Sequence, residues 1–591
     1  MNAEPANFSA NIHRVDYLAP YAEPCVDATS FIDPGARVCE SLDGDWRFAI
    51  DPYDACLRAR WFEENYCDED GRAYPVDFSF DEWGTIPVPS CWNLQDPQWY
   101  WYEGSAVYVR DVDVAPGAPG ERVFLLFGAA SYAAYVFLNG EYLGWHQGAS
   151  TPFQIEVTGR LCEKNRLLVV VNNSRRPDRV PTDNTDWFNY GGLHRSVSLM
   201  RVPSCFIRTA SVALVPDRTF STIAVTVEVD GMDLDGSAHL SIPDLGCEQA
   251  FDVVGGVGTV EVDASPSLWS PENPRLYDVW IRYGEDEWHD RIGFREIRVE
   301  GSTILLNGAP VFLAGVSQHE ESVAHGRTLS EAEIRENFSI AKQMGCVYMR
   351  LAHYPHNGLA ARVADEVGIL LWEEVPVYWA ILFDDESVFA DAENQLRELI
   401  LRDRNRASVI IWSVGNENAD SDARLSFMSR LVDTCRVLDS TRPVSAACLV
   451  DPTVPAIADR LAAHLDIIGV NEYYGWYEPD FSKLPLLFSN SHLDKPVIIC
   501  EFGADAVAGL RGDADEMFTE DHQLSIYARQ IEVLRDITYI QGVSPWILYD
   551  FRCPRRTHHL QGYYNRKGLL SADKTHRKLA FDAMRAWYES M

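Results

Sequence analysis

The segment from Ser408 to Asn418, SVIIWSVGNEN, constrains the fold of this chain more than any other stretch. Five of its first seven residues are apolar, and they do not alternate with polar residues. Such a run, bounded by polar and glycine positions, predicts a strand that is buried on both faces, as in a parallel sheet. The run ends at Gly415, Asn416 and Glu417, so it places a carboxylate where barrel enzymes keep their chemistry.

A second segment of the same kind runs from Pro496 to Gly503, PVIICEFG, and Glu501 ends its apolar run. A single glutamate after an apolar run is more often a solvated loop residue or a cap. Two such glutamates at strand ends favour glycoside hydrolysis, in which one carboxyl group protonates the leaving oxygen and the other attacks the anomeric carbon. If the two carboxyl groups lie about 5–5.5 Å apart, the expected outcome is retention through a covalent glycosyl-enzyme.

Residues 299–591 predict a (β/α)8 TIM barrel, because apolar runs alternate there with amphipathic helical segments such as 331–345 and 422–438. Eight strand–helix units over nearly 300 residues is the count for this fold. The strands are predicted at 312–319, 346–353, 369–375, 408–415, 443–450, 466–473, 496–503 and 543–550.

The rest of the chain predicts two β-domains, so the fold class is multidomain. Residues 1–205 contain short alternating runs at 122–129, 133–140 and 166–173 with turn residues between them, which indicates a β-sandwich. The acidic stretch from Cys67 to Gly71 is interpreted as a solvated loop. Residues 206–298 have the length and about seven strands of an immunoglobulin-like sandwich, which we interpret as a spacer.

Charge and cysteine usage restrict the possible partners and the location. The 51 basic and 88 acidic residues give a formal charge of −37, which argues against nucleic acid and anionic membranes as partners. An anionic substrate would therefore need a local cation. The 13 cysteines show no CxxC spacing, so neither a disulfide framework nor a zinc site is predicted. The sequence shows no signal peptide and no transmembrane run, which predicts a cytoplasmic protein.

Polar and aromatic residues follow the predicted barrel strands and should face one another at its C-terminal mouth. A cation such as Arg350 would keep the attacking carboxylate charged, and the charge of one glutamate would raise the pKa of the other. Taken alone, His353 would more often be a packing residue. The full set comprises His319, Glu320, Arg350, His353, Glu373, Glu374, Asn416, Glu417, Asn471, Tyr473, Glu501, Trp546 and Asp550.

Motifs in both halves of the chain resemble those of glycoside hydrolase family 2 and, within it, of the β-glucuronidases. The N-terminal motifs are LDGDWRFAID (42–51), IPVPSCWN (86–93) and TDWFNYGGLHRSV (185–197). The barrel motifs, in the expected order, are FLAGVSQHEES, MRLAHYPHN, IIWSVGNEN, GVNEYYGWY and IICEFG. The resemblance implies a jelly-roll, sugar-binding-like sandwich over residues 1–205, a retaining exo-glycosidase that uses no metal or organic cofactor, and a homo-oligomer.

The resemblance also implies roles for individual residues. Glu417 corresponds to the acid/base and Glu501 to the nucleophile. The substrate-binding positions are Asn416 for the sugar 2-hydroxyl, Tyr473 for positioning the nucleophile with Asn471 beside it, Arg350 and His353 in the second-strand motif, Asp186 for a sugar hydroxyl, and Trp546 as an aromatic platform.

The substrate prediction depends on Asn565 and Lys567, in the sequence NRKG after the eighth strand. β-Glucuronidases carry an Asn-x-Lys at this place, where it binds the sugar carboxylate, and an ammonium with an amide donor suits that group. A turn with a solvated lysine is the simpler interpretation of the three residues alone. Some relatives have an arginine four residues before the asparagine, where this chain has Gln561, so the contacts to the carboxylate would differ.

Several alternatives stay open at this point. A β-galacturonidase differs in substrate only at the sugar C4, and a β-galactosidase or β-mannosidase would lack the need for Asn565 and Lys567. A carbohydrate-binding protein on an inactive scaffold is a third alternative, which the presence of both glutamates disfavours. Relatives that favour small drug-like glucuronides often carry a long loop after the third strand, whereas the stretch is short in this chain. The resemblance therefore implies an open mouth that admits larger leaving groups or uronic-acid-bearing oligosaccharides.

Overall fold

The computed structural model describes residues 17–63, 80–216, 219–450, 455–491 and 493–591. The predicted acidic loop from Cys67 to Gly71 lies outside these ranges, as do the first sixteen residues, on which the prediction about a signal peptide depended. All twelve cysteines within the described ranges are free thiols. No helix in the described part of the chain is long and apolar enough to span a membrane.

The N-terminal unit is a sandwich of two antiparallel sheets. One sheet has the order β1-β10-β5-β8 and the other has the order β3-β2-β4-β9-β6-β7. Trp46, Trp92 and Tyr108 are fully buried between them, as the alternating pattern of the strands requires. The strands are β1 Cys39–Ser41, β2 Gly44–Asp51, β3 Thr85–Val88, β4 Ser105–Val112, β5 Glu121–Phe127, β6 Ala133–Leu138, β7 Glu141–Gln147, β8 Phe153–Glu156, β9 Asn165–Asn172 and β10 Val197–Pro203, with the short helix α1 Ala55–Arg58 after β2.

The second unit is an immunoglobulin-like domain of seven antiparallel strands in the order β11-β12-β15-β14-β13-β16-β17. It has a hydrophobic core of its own, in which Trp288 is fully buried. The strands are β11 Phe206–Leu214, β12 Thr222–Asp230, β13 Gly236–Ile242, β14 Cys247–Val254, β15 Val257–Asp263, β16 Tyr277–Tyr283 and β17 Asp286–Ile292.

The C-terminal unit is a closed barrel of eight parallel strands, in which the last strand pairs with the first. A small antiparallel sheet, made of β18 Ile297–Glu300, β19 Thr303–Leu306 and β20 Ala309–Pro310, packs under the barrel with Ile297 and Ile304 in its core. The barrel strands are β21 Leu313–Gln318, β22 Tyr348–Leu351, β23 Leu370–Glu374, β24 Val409–Asn416, β25 Val444–Leu449, β26 Ile468–Asn471, β27 Val497–Glu501 and β28 Ile540–Val543.

Helices cover the outside of the barrel. All eight residues of β24 are buried, as its unbroken apolar run predicts, because helices cover the sheet outside and side chains fill it inside. The helix after β21 begins with a capping box between Ser330 and Glu333. The helices are α2 Glu331–Gln343, α3 Gly358–Val367, α4 Glu386–Asp403, α5 Asp422–Leu438, α6 Lys483–Ser489, α7 Glu520–Leu534 and α8 Leu579–Tyr588. A short 3-10 turn, Arg460–Ala463, lies between β25 and β26.

The predicted eighth strand at 543–550 was wrong, since the structure has this strand at Ile540–Val543. Pro545 explains the difference, because a proline has no N–H to donate and is not tolerated inside a central strand. The following residues leave the barrel wall, and β29 Phe551–Arg552 forms a separate antiparallel pair with β30 Tyr564–Asn565. Trp546 therefore lies in the connection that follows the strand.

The sandwich packs directly on the barrel through buried polar contacts. His146 Nε2 lies 3.0 Å from Glu398 Oε1 of α4, and Arg195 Nη2 donates to Glu320 Oε2 at 2.9 Å. These contacts hold the sandwich segment 182–195 over the barrel mouth, where Trp187 packs against the rings of Tyr354 and Tyr378. The mouth is therefore built from two of the three units.

Candidate active site

Glu501, the last residue of β27, is held by two donors. Arg350 Nη1 donates to Oε1 at 2.7 Å and the Tyr473 hydroxyl donates to Oε2 at 2.6 Å, while His353 Nε2 lies 3.7 Å from Oε1. A guanidinium and a phenol that both donate to one carboxyl group fix its orientation and place a positive charge against it. The Glu501 side chain is therefore held in one orientation with the positive charge of Arg350 beside it, as an attacking carboxylate requires.

Arg350 connects several strand ends, although it is fully buried. Its Nη2 donates to Glu374 Oε1 at 2.9 Å and to Asn416 Oδ1 at 2.7 Å. Burial alone would raise the pKa of Glu374, but the charge of Arg350 and hydrogen bonds from His353 and other donors hold that pKa at about 2. Glu374 thus stays ionised and fixes the guanidinium that serves Glu501.

Glu417 follows β24 with a φ of +52°, in the left-handed region that favours glycine. Trp379 Nε1 donates to its Oε2 at 2.7 Å. Burial and then the negative charge of Glu501 raise the pKa of Glu417 to about 7. Glu417 can therefore carry a proton near neutral pH, as the acid of a two-carboxylate pair must.

Two asparagines at the strand ends keep free hydrogen-bonding groups. Asn416 Oδ1 accepts from Arg350 and, at 3.1 Å, from Asn471 Nδ2. Asn416 Nδ2 and Asn471 Oδ1 are buried without a partner among the described residues. A buried amide group without a partner is costly, so the pair suits a site in which a ligand hydroxyl completes the hydrogen bonds.

His353 and Trp546 lie together at the same end of the barrel. Their rings stack with centroids 4.8 Å apart, and His353 Nδ1 lies 2.9 Å from Glu374 Oε1. Trp546 is only 4% exposed and also packs against Phe551. Its ring therefore forms a wall that holds His353 in place and, through His353, fixes the geometry around Glu374.

We call Arg350, Glu374, Asn416, Glu417 and Glu501 the strand-end cluster.

Asn565 and Lys567 of the NRKG motif are buried near the strand-end cluster. Lys567 Nζ donates to Asp505 Oδ2 at 2.7 Å and to the Tyr477 hydroxyl at 3.0 Å. Burial alone would lower the pKa of Lys567, but the Asp505 carboxylate holds it above its usual value. Asn565 Oδ1 accepts from the Lys567 backbone N–H. Lys567 thus remains an ammonium, which has three N–H donors and uses two of them here.

Arg556 joins this group, although sequence reasoning did not identify it. Its Nη1 donates to the Tyr477 hydroxyl at 3.1 Å, and its Nη2 is in close contact with Asp186 Oδ2. Asp186 also accepts from Asn565 Nδ2 at 3.4 Å, so the sandwich residue predicted to bind a hydroxyl is engaged with the barrel. We call Asp186, Asp505, Arg556, Asn565 and Lys567 the loop cluster.

The two clusters meet at Tyr473. Its hydroxyl donates to Glu501, its ring contacts that of Tyr477 at 5.2 Å, and Lys567 Nζ lies 5.7 Å from its ring centre. All eleven predicted site residues belong to this connected group. Three other strand-end residues do not: Glu320 pairs with Arg195, Glu373 lies beside Asp403, and Asp550 pairs with Lys578.

Two residues of the loop cluster, Asp505 and Arg556, were not identified from the sequence. Asp505 comes four residues after Glu501, and its position alone could have suggested a mouth residue. Arg556 lies nine residues before Asn565, and only the fold of the intervening loop brings them together. Within the described ranges, no group of three or more His, Cys, Asp or Glu side chains is arranged to hold a metal ion.

Three family models match almost the whole chain. The TIM barrel domain of glycosyl hydrolases family 2 matches residues 297–591, the sugar binding domain of that family matches residues 39–203, and a third family 2 domain matches residues 210–295. The chain therefore belongs to glycoside hydrolase family 2, and it is a glycoside hydrolase.

Relatives within this family agree in length and fold. A β-glucuronidase of Paenibacillus borealis is 28% identical and covers 94% of this chain and 98% of its own, and one of Mus musculus is 28% identical with 92% and 90% covered. The structure of a Bifidobacterium dentium β-glucuronidase complexed with coumarin-3-O-glucuronide gives a TM-score of 0.84 at 25% identity, covering 94% and 97%. A family 2 β-galacturonidase from Eisenbergiella tayi bound to galacturonate gives 0.80 at 25% identity, covering 94% and 98%.

Proposed function

We propose that this enzyme hydrolyses terminal β-D-glucuronides with retention of configuration. Glu501 attacks the anomeric carbon to form a glycosyl-enzyme, while Glu417 donates its proton to the leaving oxygen. Glu417 then accepts a proton from the water that releases the sugar. The proposal is supported by family membership, by β-glucuronidase relatives along the whole chain and by the different environments of the two carboxyl groups.

The observation that carries the uronide assignment is the loop cluster. Lys567 and Arg556 both donate to the Tyr477 hydroxyl, so two cations lie close together beside the nucleophile's tyrosine. The chain has a charge of −37, and two adjacent cations provide the local attraction that an anionic sugar needs. A neutral sugar would have no use for two adjacent cations, one of which, Lys567, is buried.

Asp505 holds Lys567 in place without consuming its binding capacity. Asp505 Oδ1 accepts from Gln561 Nε2 at 3.2 Å and from the Arg566 backbone N–H at 2.7 Å, so three donors share its charge. One ammonium N–H of Lys567 stays available for a ligand carboxylate, and the Asn565 amide lies beside it. Gln561, which stands where some relatives have an arginine, supports Asp505 in this arrangement.

The first experiment compares hydrolysis of nitrophenyl β-D-glucuronide, β-D-galacturonide and β-D-galactoside by the wild type and Lys567→Ala. We expect the wild type to prefer the glucuronide. Loss of a buried charged partner should lower kcat/KM for uronides roughly 30-fold to 1,000-fold in the variant, with a smaller change for the galactoside. Lys342→Ala, on the exposed face of α2, removes the same charge far from the mouth and serves as the control.

Each other outcome corrects a separate part of the proposal. A preference for the galacturonide would keep the carboxylate contact and change the assignment at C4. A preference for the galactoside that is unaffected in Lys567→Ala would contradict the uronide assignment. An inactive wild type that still binds uronides with the same affinity after Glu501→Gln would indicate a carbohydrate-binding protein.

A further inference from the structure

An arginine with no carboxylate partner lies against the tryptophan that holds the acid/base. The guanidinium carbon of Arg555 lies 4.7 Å from the ring centre of Trp379, whose Nε1 donates to Glu417. Arg555 Nη1 also donates to Asn184 Oδ1 at 2.8 Å. These residues come from the sandwich segment over the mouth, the turn after β23 and the segment after β28. They lie together on the side of Glu417, the residue proposed to protonate the leaving oxygen.

Arg555 differs from the other arginines of its segment in having no ion pair with any residue the structure describes. It is exposed, yet an aromatic face and an amide oxygen hold it in place. In a chain with 88 acidic and 51 basic residues, a fixed arginine without a carboxylate keeps its charge for a ligand. The others are paired: Arg552 with Glu321, Arg556 with Asp186 and Arg566 with Asp550.

The backbone of Trp379 is set in an uncommon conformation. Its φ is +54°, in the left-handed region that is rare for a bulky residue, and its N–H donates to the Asn416 carbonyl at 3.0 Å. Such conformations persist where surrounding contacts fix them, and they cluster at ligand sites. The indole is therefore a preset wall beside Glu417 and does not depend on a ligand to position it.

We propose that Arg555, Trp379 and Asn184 form a leaving-group subsite that selects an anionic leaving group, namely a sugar or ring that carries a carboxylate or a sulfate or sulfonate. This inference rests on the proposed function, because the leaving oxygen must reach Glu417. The ring attached to that oxygen then lies along the indole of Trp379, on which an apolar sugar face or an aromatic ring packs. Its anion meets the guanidinium, whose planar fork matches such groups.

The test measures kcat/KM for three β-D-glucuronides whose phenol carries a 4-carboxylate, a 4-sulfonate or a neutral 4-carboxamide. The quantity of interest is the anionic-to-neutral ratio in the wild type divided by the same ratio in Arg555→Gln. This division cancels differences in leaving-group reactivity among the phenols. We expect a value of about threefold to tenfold, as for a partly exposed charge pair, and a decline towards one as salt rises from about 0.01 to 1 M.

The matched control is Arg511→Gln. Arg511 is exposed and pairs with Asp521, so its loss takes the formal charge from −37 to −38, as Arg555→Gln does, away from Trp379. The control should keep the wild-type ratio, which excludes an effect of overall charge. An anionic-to-neutral ratio that is higher in the wild type than in Arg555→Gln, for the carboxylate, for the sulfonate or for both, supports the subsite and identifies the anion it takes.

An equal loss for all three phenols in Arg555→Gln would overturn the inference, since it would mean that the arginine only positions Trp379. A wild-type preference that does not respond to salt would also overturn it. If the enzyme prefers galacturonides, the same three phenols on that sugar give the same ratio. Failure of the proposed sugar specificity is therefore distinguishable from failure of the leaving-group subsite.

Discussion

The strand-end cluster and the loop cluster adjoin at Tyr473, but they are built in different ways. In the first, each functional side chain is the last residue of a barrel strand, follows one directly or, like Arg350, lies within one. Hydrogen-bonded register fixes their relative heights, for example Arg350 opposite Trp372 in the neighbouring strand. In the second, side chains come from a sandwich loop, the turn after β27 and the segment after β28.

Under the proposed function, this difference separates chemistry from selectivity. Acid and nucleophile must be held to a fraction of an ångström, and strands of a closed barrel provide that rigidity. Substrate choice can be altered on loops without disturbing the barrel, because loops tolerate substitution and carry specificity. We therefore expect changes in the strand-end cluster to reduce every activity of the enzyme, and changes in the loop cluster to reduce activity on uronides more than activity on neutral sugars.

The largest expected effect is that of Glu501→Gln. The amide cannot attack the anomeric carbon, so kcat should fall by about four orders of magnitude or more on uronide and neutral substrates alike. Thermal unfolding of the variant checks that the loss is chemical. If Glu501→Gln kept nearly the wild-type activity on any one substrate, that activity would not depend on the strand-end cluster. The distinction between the two clusters would then fail.

Azide provides a second test of the assigned roles. In Glu501→Ala, azide can replace the nucleophile and should yield an α-glycosyl azide. In Glu417→Ala with an activated nitrophenyl substrate, azide should intercept the glycosyl-enzyme and yield a β-glycosyl azide. The configuration of each product is read by proton NMR. The opposite pairing of variants and products would reverse the roles of the two glutamates.

The barrel and the strand-end cluster could be predicted from the sequence because local pattern and position suffice for them. Each of the first seven predicted strands contains an observed strand or overlaps it closely. The eighth failed because an apolar run that contains Pro545 was interpreted as continuous, although proline excludes it from a central strand. Glu374 appeared among the strand-end residues, but only the structure shows that it fixes Arg350.

The loop cluster could be anticipated only in part. Resemblance supplied Asn565, Lys567 and Asp186, but not the buried partner Asp505. It also directed attention to Gln561 as the place of a missing arginine, whereas the second cation comes from Arg556, five residues earlier. A loop without regular structure has no periodicity, so its sequence does not reveal which side chains meet.

An intermediate effect is expected for Arg556→Gln. This change removes one of the two cations at Tyr477, so kcat/KM for uronides should fall roughly 10-fold to 100-fold, while the galactoside changes less. The matched control is Arg566→Gln, because Arg566 lies in the same segment but pairs with Asp550. Equal losses on uronide and galactoside in Arg556→Gln would show that the loop cluster also supports catalysis. Catalysis and selectivity would then not be divided between the two clusters.

The smallest effect, and the one that tests the border of the strand-end cluster, is a shift of the pH profile in Trp379→Phe. The proposed mechanism requires a protonated Glu417, so kcat/KM of the wild type should fall as pH rises through about 7. The indole N–H stabilises the ionised carboxylate and thus lowers the pKa of Glu417. Removing this donor should move the alkaline limb upward by about half to one pH unit.

Trp101→Phe, on the exposed surface of the sandwich, should leave the limb in place. A downward shift in Trp379→Phe would mean that the indole excludes water from Glu417 more than it stabilises the charge, since added hydration lowers the pKa of a buried carboxyl group.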